Sequence, residues 1–326
     1  MILPDTMIYK IRWAALILLI TVSACTDGGR CVVSTLGDMT VINESGSPIV
    51  SSTVNGHPVA FILDTGARSS SVWPGQVEKL GLENHFKMVR LRGTGGEAFG
   101  GVATAETVGL GSATASNVVF VTAGNLFDGR TINGLPVVGL LGADFLDNYD
   151  VVLDLPNHRI NLYTIDRCGD ALPGWKGRFY KIKVSHAWED ETKTIVHIRL
   201  NGHPIDAYLD SGASGTLISR DDARTAGVKK SDLFLDRKGV GYGIDDEKSF
   251  RYLHHFDTMD VGPFHFSHPV LRIAETDNSL LGADFLRHHR VWIPRHADWI
   301  FIQPVAQSIA QSTNTSAMLT SHQKGL

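Results

Sequence analysis

The sequence contains little cysteine and no excess of basic residues. Only 3 of its 326 residues are cysteine, and neither a Cys-x-x-Cys nor a His-Glu-x-x-His spacing occurs, so the usual zinc-binding motifs are missing. The formal net charge is -4, which excludes the strong positive field that nucleic-acid binding requires. We interpret the 14 histidines as surface and loop residues, and we expect neither a metal nor another cofactor.

The sequence also lacks an apolar run long enough to be a clear membrane span. Its apolar run near the N-terminus, residues 13–24, follows Lys10 and Arg12 and is shorter than the roughly 20 residues that a spanning helix needs, although it suits a signal peptide. The run ends in Val-Ser-Ala-Cys, which resembles the lipobox of bacterial lipoproteins. We therefore expect lipid on Cys25 and a location on the periplasmic side of a bacterial cell envelope. The alternatives are an ordinary cleaved signal or an uncleaved N-terminal anchor.

Without Cys25, two cysteines remain in the chain. They are Cys31 and Cys168, and an oxidising compartment would permit a disulfide between the N-terminal arm and the middle of the chain. Two free thiols agree with the sequence equally well.

One apolar segment occurs twice, and each copy ends in a carboxylate, a small hydroxyl residue and a glycine. The first ends in Asp64-Thr65-Gly66 and the second in Asp210-Ser211-Gly212. A short apolar run of this kind predicts a buried strand. An acid at its end is costly to bury unless a neighbour satisfies it or chemistry uses it. The 33 glycines of the chain fit a turn-rich β protein.

The two copies stay in register well beyond this motif. Residues 55–81 match residues 201–227 at a constant offset of 146 positions. Each aspartate is followed by a second short strand and then by a predicted short helix, at residues 74–80 and 221–226. A glycine follows each helix, as is typical of the left-handed position past a helix end. The chain therefore carries an internally duplicated module.

Each copy continues with a glycine-rich hairpin. Gly93 and Gly95 mark the first hairpin, and Gly241 and Tyr242 mark the second. Glycine supports tight turns and a mobile tip, which suits a lid. The spacing of the first hairpin also fits a dinucleotide loop, but that loop requires a following helix, and the residues after Gly96 favour strand and turn.

A closing block, Leu-Leu-Gly-Ala-Asp-Phe-Leu, ends each copy at residues 140–146 and 280–286. Its glycine would let the strand pass close to the aspartate loop. We interpret Asp144 and Asp284 as helix-start or turn acids. Residues 124–136, an insertion in the first copy, are predicted to form a surface loop.

Each copy resembles the module of retropepsin-type aspartic proteases, which combines Asp-Thr-Gly-Ala, a short helix, a glycine-rich hairpin and Leu-Leu-Gly. The module is duplicated here, as in the bilobal pepsin-like enzymes. The resemblance covers residues 48–304. It implies an all-β fold of two pseudo-symmetric β-barrel lobes with short helices, with one active site in the cleft between them. It also implies flaps over the cleft, with Gly93, Gly95, Gly241 and Tyr242 as flap residues. Arg68 stands where retroviral members often have an acidic residue, so substrate anchoring there must differ.

This resemblance, together with the N-terminal signal and the composition of the C-terminal residues, predicts six segments. They are a signal peptide (1–24), an N-terminal arm (25–47), a first lobe (48–166), a linker (167–178), a second lobe (179–304) and a disordered tail (305–326).

The chemistry explains why two such loops are needed. Amide hydrolysis requires a base that activates water and an acid that protonates the substrate, and two facing carboxyls that share one proton supply both. We therefore predict Asp64 and Asp210 as the catalytic pair, supported by Thr65, Gly66, Ser211 and Gly212. The predicted function is an aspartic endopeptidase that acts on protein or peptide substrates as a monomer.

Two other functions remain open from the sequence. A duplicated β module could bind an extended peptide, or assist assembly in the envelope, without cutting it. A lipid-held scaffold would make the cleft incidental.

Overall fold

The computed structural model describes residues 31–93, 96–125, 128–166, 175–187, 190–242, 248–295 and 297–305. Strands dominate both halves of the described chain. In the first half they are β1 (Val32–Thr40), β2 (Ile49–Val54), β3 (His57–Leu63), β4 (Ser71–Val72), β5 (Glu83–Gly93), β6 (Gly96–Gly109), β7 (Thr114–Thr122), β8 (Thr131–Ile132), β9 (Leu135–Leu141), β10 (Asp150–Asp154) and β11 (Arg159–Asp166).

The second half repeats this composition. Its strands are β12 (Tyr180–Ala187), β13 (Asp190–Leu200), β14 (His203–Leu209), β15 (Leu217–Ser219), β16 (Arg237–Tyr242), β17 (Lys248–His255), β18 (Thr258–Val261), β19 (Phe264–Ser267), β20 (Val270–Ala274), β21 (Ser279–Leu281), β22 (His289–Ile293) and β23 (Trp299–Pro304).

The helices are short. The α-helices among the described residues are α1 (Ala143–Leu146), α2 (Arg220–Thr225) and α3 (Ala283–Leu286), and 3-10 turns occur at Pro74–Gln76, Leu155–Asn157 and Asp232–Phe234.

The two predicted module helices differ in the structure. The second forms as α2, where the Ser219 hydroxyl caps the helix by accepting a hydrogen bond from Asp222 N–H at 3.1 Å. The first, predicted over residues 74–80, is only the 3-10 turn Pro74–Gln76. Trp73 precedes it and provides no side-chain cap, and glycine, a poor helix former, follows the proline.

An antiparallel run of six strands joins the halves in the order β1-β11-β10-β22-β23-β12, with three strands from each half. At its centre β10 pairs with β22, so that Val151 lies opposite Ile293 and Leu153 opposite Val291. β1 lies within the segment predicted as the N-terminal arm.

Each half also contributes a run of lobe strands, and the two runs have matching strand orders. The first run is a separate sheet, and the second continues from the six-stranded run through the pairing of β12 with β13. The orders are β2-β3-β9-β4-β7-β6-β5 in the first lobe and β13-β14-β21-β15-β20-β17-β16 in the second. The closing strand of each lobe, β9 or β21, runs parallel to the strand before the aspartate and antiparallel to the strand after it. The expected fold of two pseudo-symmetric β lobes with short helices is confirmed.

The predicted surface loop at residues 124–136 contains an additional small hairpin. Asn133 and Gly134 adopt positive φ angles of 50° and 80°, a combination that favours a tight two-residue turn. The turn allows Ile132 to pair with Leu135.

One large apolar core extends through both lobes and the strands between them. Phe61 and Phe120 stack in it with ring centroids 5.7 Å apart, and both are fully buried. The same cluster includes Leu153, Phe285 and Val291. The strands that carry the aspartate loops are therefore fixed in a packed interior.

Candidate active site

The first aspartate loop begins where β3 leaves the core. Asp64 N–H donates to the carbonyl of Leu141 at 2.9 Å, which ties the loop to the end of β9. Asp64 Oδ1 accepts hydrogen bonds from the N–H groups of Gly66 at 3.0 Å and Ala67 at 2.9 Å. These bonds fix the orientation of the carboxyl.

The second loop repeats this geometry at the end of β14. Asp210 N–H donates to Leu281 O at 3.0 Å, and Asp210 Oδ1 accepts from Ala213 N–H at 3.0 Å. Asp210 is buried, with 8% of its surface exposed. The duplicated sequence thus produces a duplicated carboxylate geometry.

Four hydrogen bonds cross between the loops. Thr65 Oγ1 donates to Leu209 O at 2.7 Å and accepts from Ser211 N–H at 3.0 Å. Reciprocally, Ser211 Oγ donates to Leu63 O at 2.7 Å and accepts from Thr65 N–H at 3.0 Å. The sequence predicts that the hydroxyls of Thr65 and Ser211 fix the loops across the lobe junction, and both hydroxyls form hydrogen bonds across it.

The glycine of each loop faces the carboxyl of the other lobe. A Cβ atom at Gly66 would lie 2.6 Å from Asp210 Oδ1, and a Cβ atom at Gly212 would collide with the Asp64 carboxyl. Only glycine allows this approach. The structure therefore brings Asp64 and Asp210 together at the junction of the two lobes.

The two carboxyls lie close together and influence each other's protonation. Burial raises the pKa of both groups, and the negative charge of Asp64 raises the pKa of Asp210 further, well above its usual range. Hydrogen bonds from Ala67, Asp210 and Gly66 partly offset the rise in the pKa of Asp64. Because two facing buried carboxyls cannot both ionise, we expect the pair to share one proton.

The sequence analysis missed one charged side chain at this site. Burial raises the pKa of Asp64, and the positive charge of Lys193, on β13, is a smaller effect in the opposite direction. The signal that would have found it is the offset of 146 positions, because Lys193 corresponds to Ser47, and Ser47 Oγ donates to Gly212 O of the second aspartate loop at 2.6 Å.

The acids of the closing blocks hold the loops and do not face the dyad. Asp144 Oδ1 accepts from the N–H and hydroxyl of Ser70 at 2.8 and 2.7 Å. Asp284 Oδ1 accepts the same pair of bonds from Thr216 at 2.9 and 2.8 Å. This agrees with their interpretation as turn acids.

The glycine of the first closing block is also required by its surroundings. A Cβ atom at Gly142 would lie 2.9 Å from Ala67 O and 2.8 Å from the carbonyl carbon of Ser69. β9 therefore passes directly behind the first aspartate loop, as predicted.

The predicted flap residues lie on two hairpins, β5–β6 and β16–β17. Gly93 ends β5, and Tyr242 ends β16. A side chain at Gly241 would collide with the guanidinium of Arg251, which packs over it. Gly95 lies outside the described residues.

Arg68 is exposed beside the first loop. Its carbonyl accepts from Asp144 N–H at 3.1 Å. Its predicted role in substrate anchoring stays a prediction.

A cavity of about 380 Å³ lies behind the crossed hydroxyls. Thr65 and Leu209 contribute to its wall, together with Tyr149, His186 and Arg295, whereas neither aspartate of the dyad does. It is therefore separate from the face at which the carboxyls meet.

The histidines are not all surface residues, which corrects the sequence interpretation. His289 is 5% exposed, stacks on Phe285 with ring centroids 4.2 Å apart and bonds to the Phe285 carbonyl at 2.8 Å. His289 therefore fills a position in the aromatic core and is not a surface residue. Within the described residues no group of three or more His, Cys, Asp or Glu side chains is arranged to hold a metal ion.

Cys31 is disulfide-bonded, so its thiol is not free. The other two cysteines, Cys25 and Cys168, lie outside the described residues, as does the predicted signal peptide. No helix in the described part of the chain has the length and apolar character needed to cross a membrane.

Comparison with known proteins gives one match in each lobe. Residues 50–145 match the model of an aspartyl protease family, and residues 196–288 match the model of gag-polyprotein aspartyl proteases.

Three relatives show the extent of the similarity. Human Protein DDI1 homolog 1 is 30% identical over 102 residues, which cover 30% of this chain and 25% of that protein. Mouse Protein DDI1 homolog 2 is 28% identical over 97 residues, covering 29% and 24%. The UBA domain-containing protein Mud1 of Schizosaccharomyces pombe is 30% identical over 102 residues, 30% of each protein. The similarity thus spans less than a third of each relative.

Proposed function

Because the chain belongs to the retropepsin-like aspartyl proteases and carries two of their domains in tandem, we propose that it is an aspartic endopeptidase whose catalytic pair is Asp64 and Asp210. The observation that carries this proposal is the crossed geometry of the loops, in which Gly66 faces the Asp210 carboxyl and Gly212 faces the Asp64 carboxyl. A buried pair of acids is costly unless it is used.

In the proposed mechanism each carboxyl has its own role. Ionised Asp64 removes a proton from a water molecule while the water oxygen attacks the carbonyl carbon of the peptide bond. Protonated Asp210 donates its proton to the carbonyl oxygen, which produces a tetrahedral diol. Asp64 then gives the proton it removed from water to the amide nitrogen while Asp210 takes a proton from one hydroxyl of the diol. The C–N bond breaks, and the starting state with Asp64 ionised and Asp210 protonated is restored.

Apolar side chains pack beside both aspartate loops, and this favours a peptide as the substrate. Ala67, after the first loop, packs with Ile62 and Trp73. Ala213, after the second, packs with Tyr208 and other apolar residues. We expect an extended peptide with apolar side chains on both sides of the cleaved bond, covered by the hairpins β5–β6 and β16–β17.

Both aspartate loops come from one chain, so the proposed enzyme acts as a monomer. Its specific activity should then stay constant on dilution. A loss of activity in parallel with loss of a dimer peak in size-exclusion chromatography would contradict this proposal.

The envelope location is also a proposal, supported by the lipobox-like tetrad before Cys25. The variant Cys25→Ser should move from the membrane fraction to the soluble envelope fraction. A wild-type protein that carries no lipid would contradict it.

The experiment for the main proposal is a peptide-library digest by the full chain at acidic to neutral pH, read by mass spectrometry. We expect cleavage by the wild type and none by Asp210→Asn. Binding of peptides without cleavage at any pH would instead favour a binding module.

A further inference from the structure

One face of the second-lobe strands lies beside the second aspartate loop. Where β15 pairs with β20, Ile218 lies opposite Ile273, and both belong to the main core. The preceding pair in the same register, Leu217 and Arg272, faces the other side of the sheet, because side chains alternate along a strand. Leu217 belongs to a separate apolar cluster, against which Ala213 of the second aspartate loop packs. We call this side, with Leu217 and Arg272, the cleft face.

Two arginines from neighbouring strands stand on the cleft face. Arg272 of β20 lies opposite Leu253 of β17, and Arg251, two residues before Leu253, points to the same side. A Cβ atom at Gly215, in the segment after the second aspartate loop, would collide with the Arg272 guanidinium. A Cβ atom at Gly241, in the hairpin β16–β17, would collide with the Arg251 guanidinium. One guanidinium therefore lies against the segment that leaves the aspartate loop, and the other lies against the hairpin.

The positive charges of this arginine pair, Arg251 and Arg272, are not neutralised by the described residues. Within the described ranges neither guanidinium forms an ion pair with a carboxylate, and Arg251 Nε is buried without a hydrogen-bond partner. Glu275, which follows β20, binds Arg220 instead at 2.9 Å. Burial lowers the pKa of Arg251, and the positive charge of Arg272 lowers it further. Two such groups on one face favour a carboxylate as the ligand.

The first lobe has no charge at the equivalent positions. β4 pairs with β7 as β15 pairs with β20, and this places Val121 at the position of Arg272. The pairing of β6 with β7 places Gly100 at the position of Arg251. A Cβ atom at Gly100 would lie 2.8 Å from Val121 Cγ1, so the space that the arginines fill in the second lobe is apolar and closely packed in the first. The duplicated lobes therefore offer a peptide two different surfaces.

We propose that Arg251 and Arg272 select substrates that carry an acidic side chain, aspartate or glutamate, over the second lobe, outside the apolar residues that flank the cleaved bond. The proposal rests on the proposed function of the same cleft. A guanidinium fork binds a carboxylate through charge-assisted hydrogen bonds, and two forks on one face discriminate against a neutral or basic side chain. The first lobe, with Val121 and Gly100, has no such preference.

The probes for the test are two sets of labelled octapeptides with leucine and phenylalanine at the centre. One set carries a single glutamate, moved through the other positions in a background of alanine, and the second set carries glutamine at the same places. Cleavage by the full wild-type chain gives kcat/KM, and fluorescence anisotropy gives the affinity for the folded Asp210→Asn chain. On one side of the cleaved bond, the glutamate peptide should exceed its glutamine partner by at least about tenfold in both measurements.

The variants Arg251→Met and Arg272→Met each remove one charge and keep a long side chain. Either change should reduce the preference for glutamate to about threefold or less, with folding checked by circular dichroism. Lys238→Met is the matched control, because Lys238 is exposed on the same hairpin and lies opposite Tyr252, on the face away from the arginines. The control should leave the preference unchanged.

Equal treatment of glutamate and glutamine at every position by the folded wild type would overturn the proposal. This outcome includes competition for the arginines by the acids between β16 and β17 in the sequence, Asp245, Asp246 and Glu247, which lie outside the described residues. A preference that persists in both arginine variants would also overturn it. If Asp210→Asn binds the glutamate peptides more tightly but the wild type cleaves none of them, the proposed function fails and the inference about the arginine pair stands.

Discussion

The crossed hydroxyls make a specific prediction about Ser211→Ala. Ser211 is fully buried, and its hydroxyl satisfies two main-chain groups of the opposite lobe, Leu63 C=O and Thr65 N–H. The alanine variant leaves both groups buried without partners, at a cost on the order of 1–3 kcal/mol for each. We expect the free energy of unfolding to fall by about 3 kcal/mol, measured by urea unfolding with circular dichroism at neutral pH.

The control for this prediction is Ser211→Thr. The first loop has Thr65 at the matching position, so threonine keeps the hydroxyl and fits the same local geometry. Its free energy of unfolding should fall by less than that of the alanine variant, because only the added methyl group must be accommodated in the buried site. If the alanine variant were as stable as the wild type and the threonine variant, the crossed hydroxyls would not hold the lobes together, and the reasoning would be wrong.

Two further predictions concern the loop glycine and the buried histidine. Gly66→Ala places a methyl group against the Asp210 carboxyl and should lower kcat/KM by at least about 100-fold. A Gly66→Ala protein with wild-type activity would contradict the crossed geometry. Burial lowers the pKa of His289 from 6.5 to about 4, so the unfolded chain binds a proton that the folded chain does not, and stability falls as the pH drops from 6.5 toward 4. His289→Gln should remove up to about 3 kcal/mol of this acid loss, measured by urea unfolding of both proteins at each pH; parallel pH profiles would contradict the assignment.

Much of the site could be predicted because its residues recur at a fixed offset. The aspartate, hydroxyl and glycine of each loop depend on local backbone geometry, and a duplicated sequence reproduces that geometry. The same holds for Asp144 and Asp284, each bonded to the segment after its loop.

The features that could not be predicted arise from packing between distant segments. The offset of 146 positions pairs Lys193 with Ser47, but its charge effect on Asp64 in the other lobe depends on how the lobes pack. His289 fills an aromatic core position, which a polar residue in the sequence does not indicate. The predicted helix after Val72 is an exception with a local cause: it is only a short 3-10 turn, because Trp73 provides no capping side chain and a glycine follows the proline.

The central claim is that two carboxyls from different lobes act as one unit on one water molecule. The most direct measurement is kcat for peptide cleavage by Asp64→Asn, Asp210→Asn and the double variant, each shown to be folded. Each single variant should lose at least about a thousandfold, and the double variant should lie within about tenfold of the singles. A folded Asp210→Asn protein that cleaves peptides at close to the wild-type rate would contradict the account.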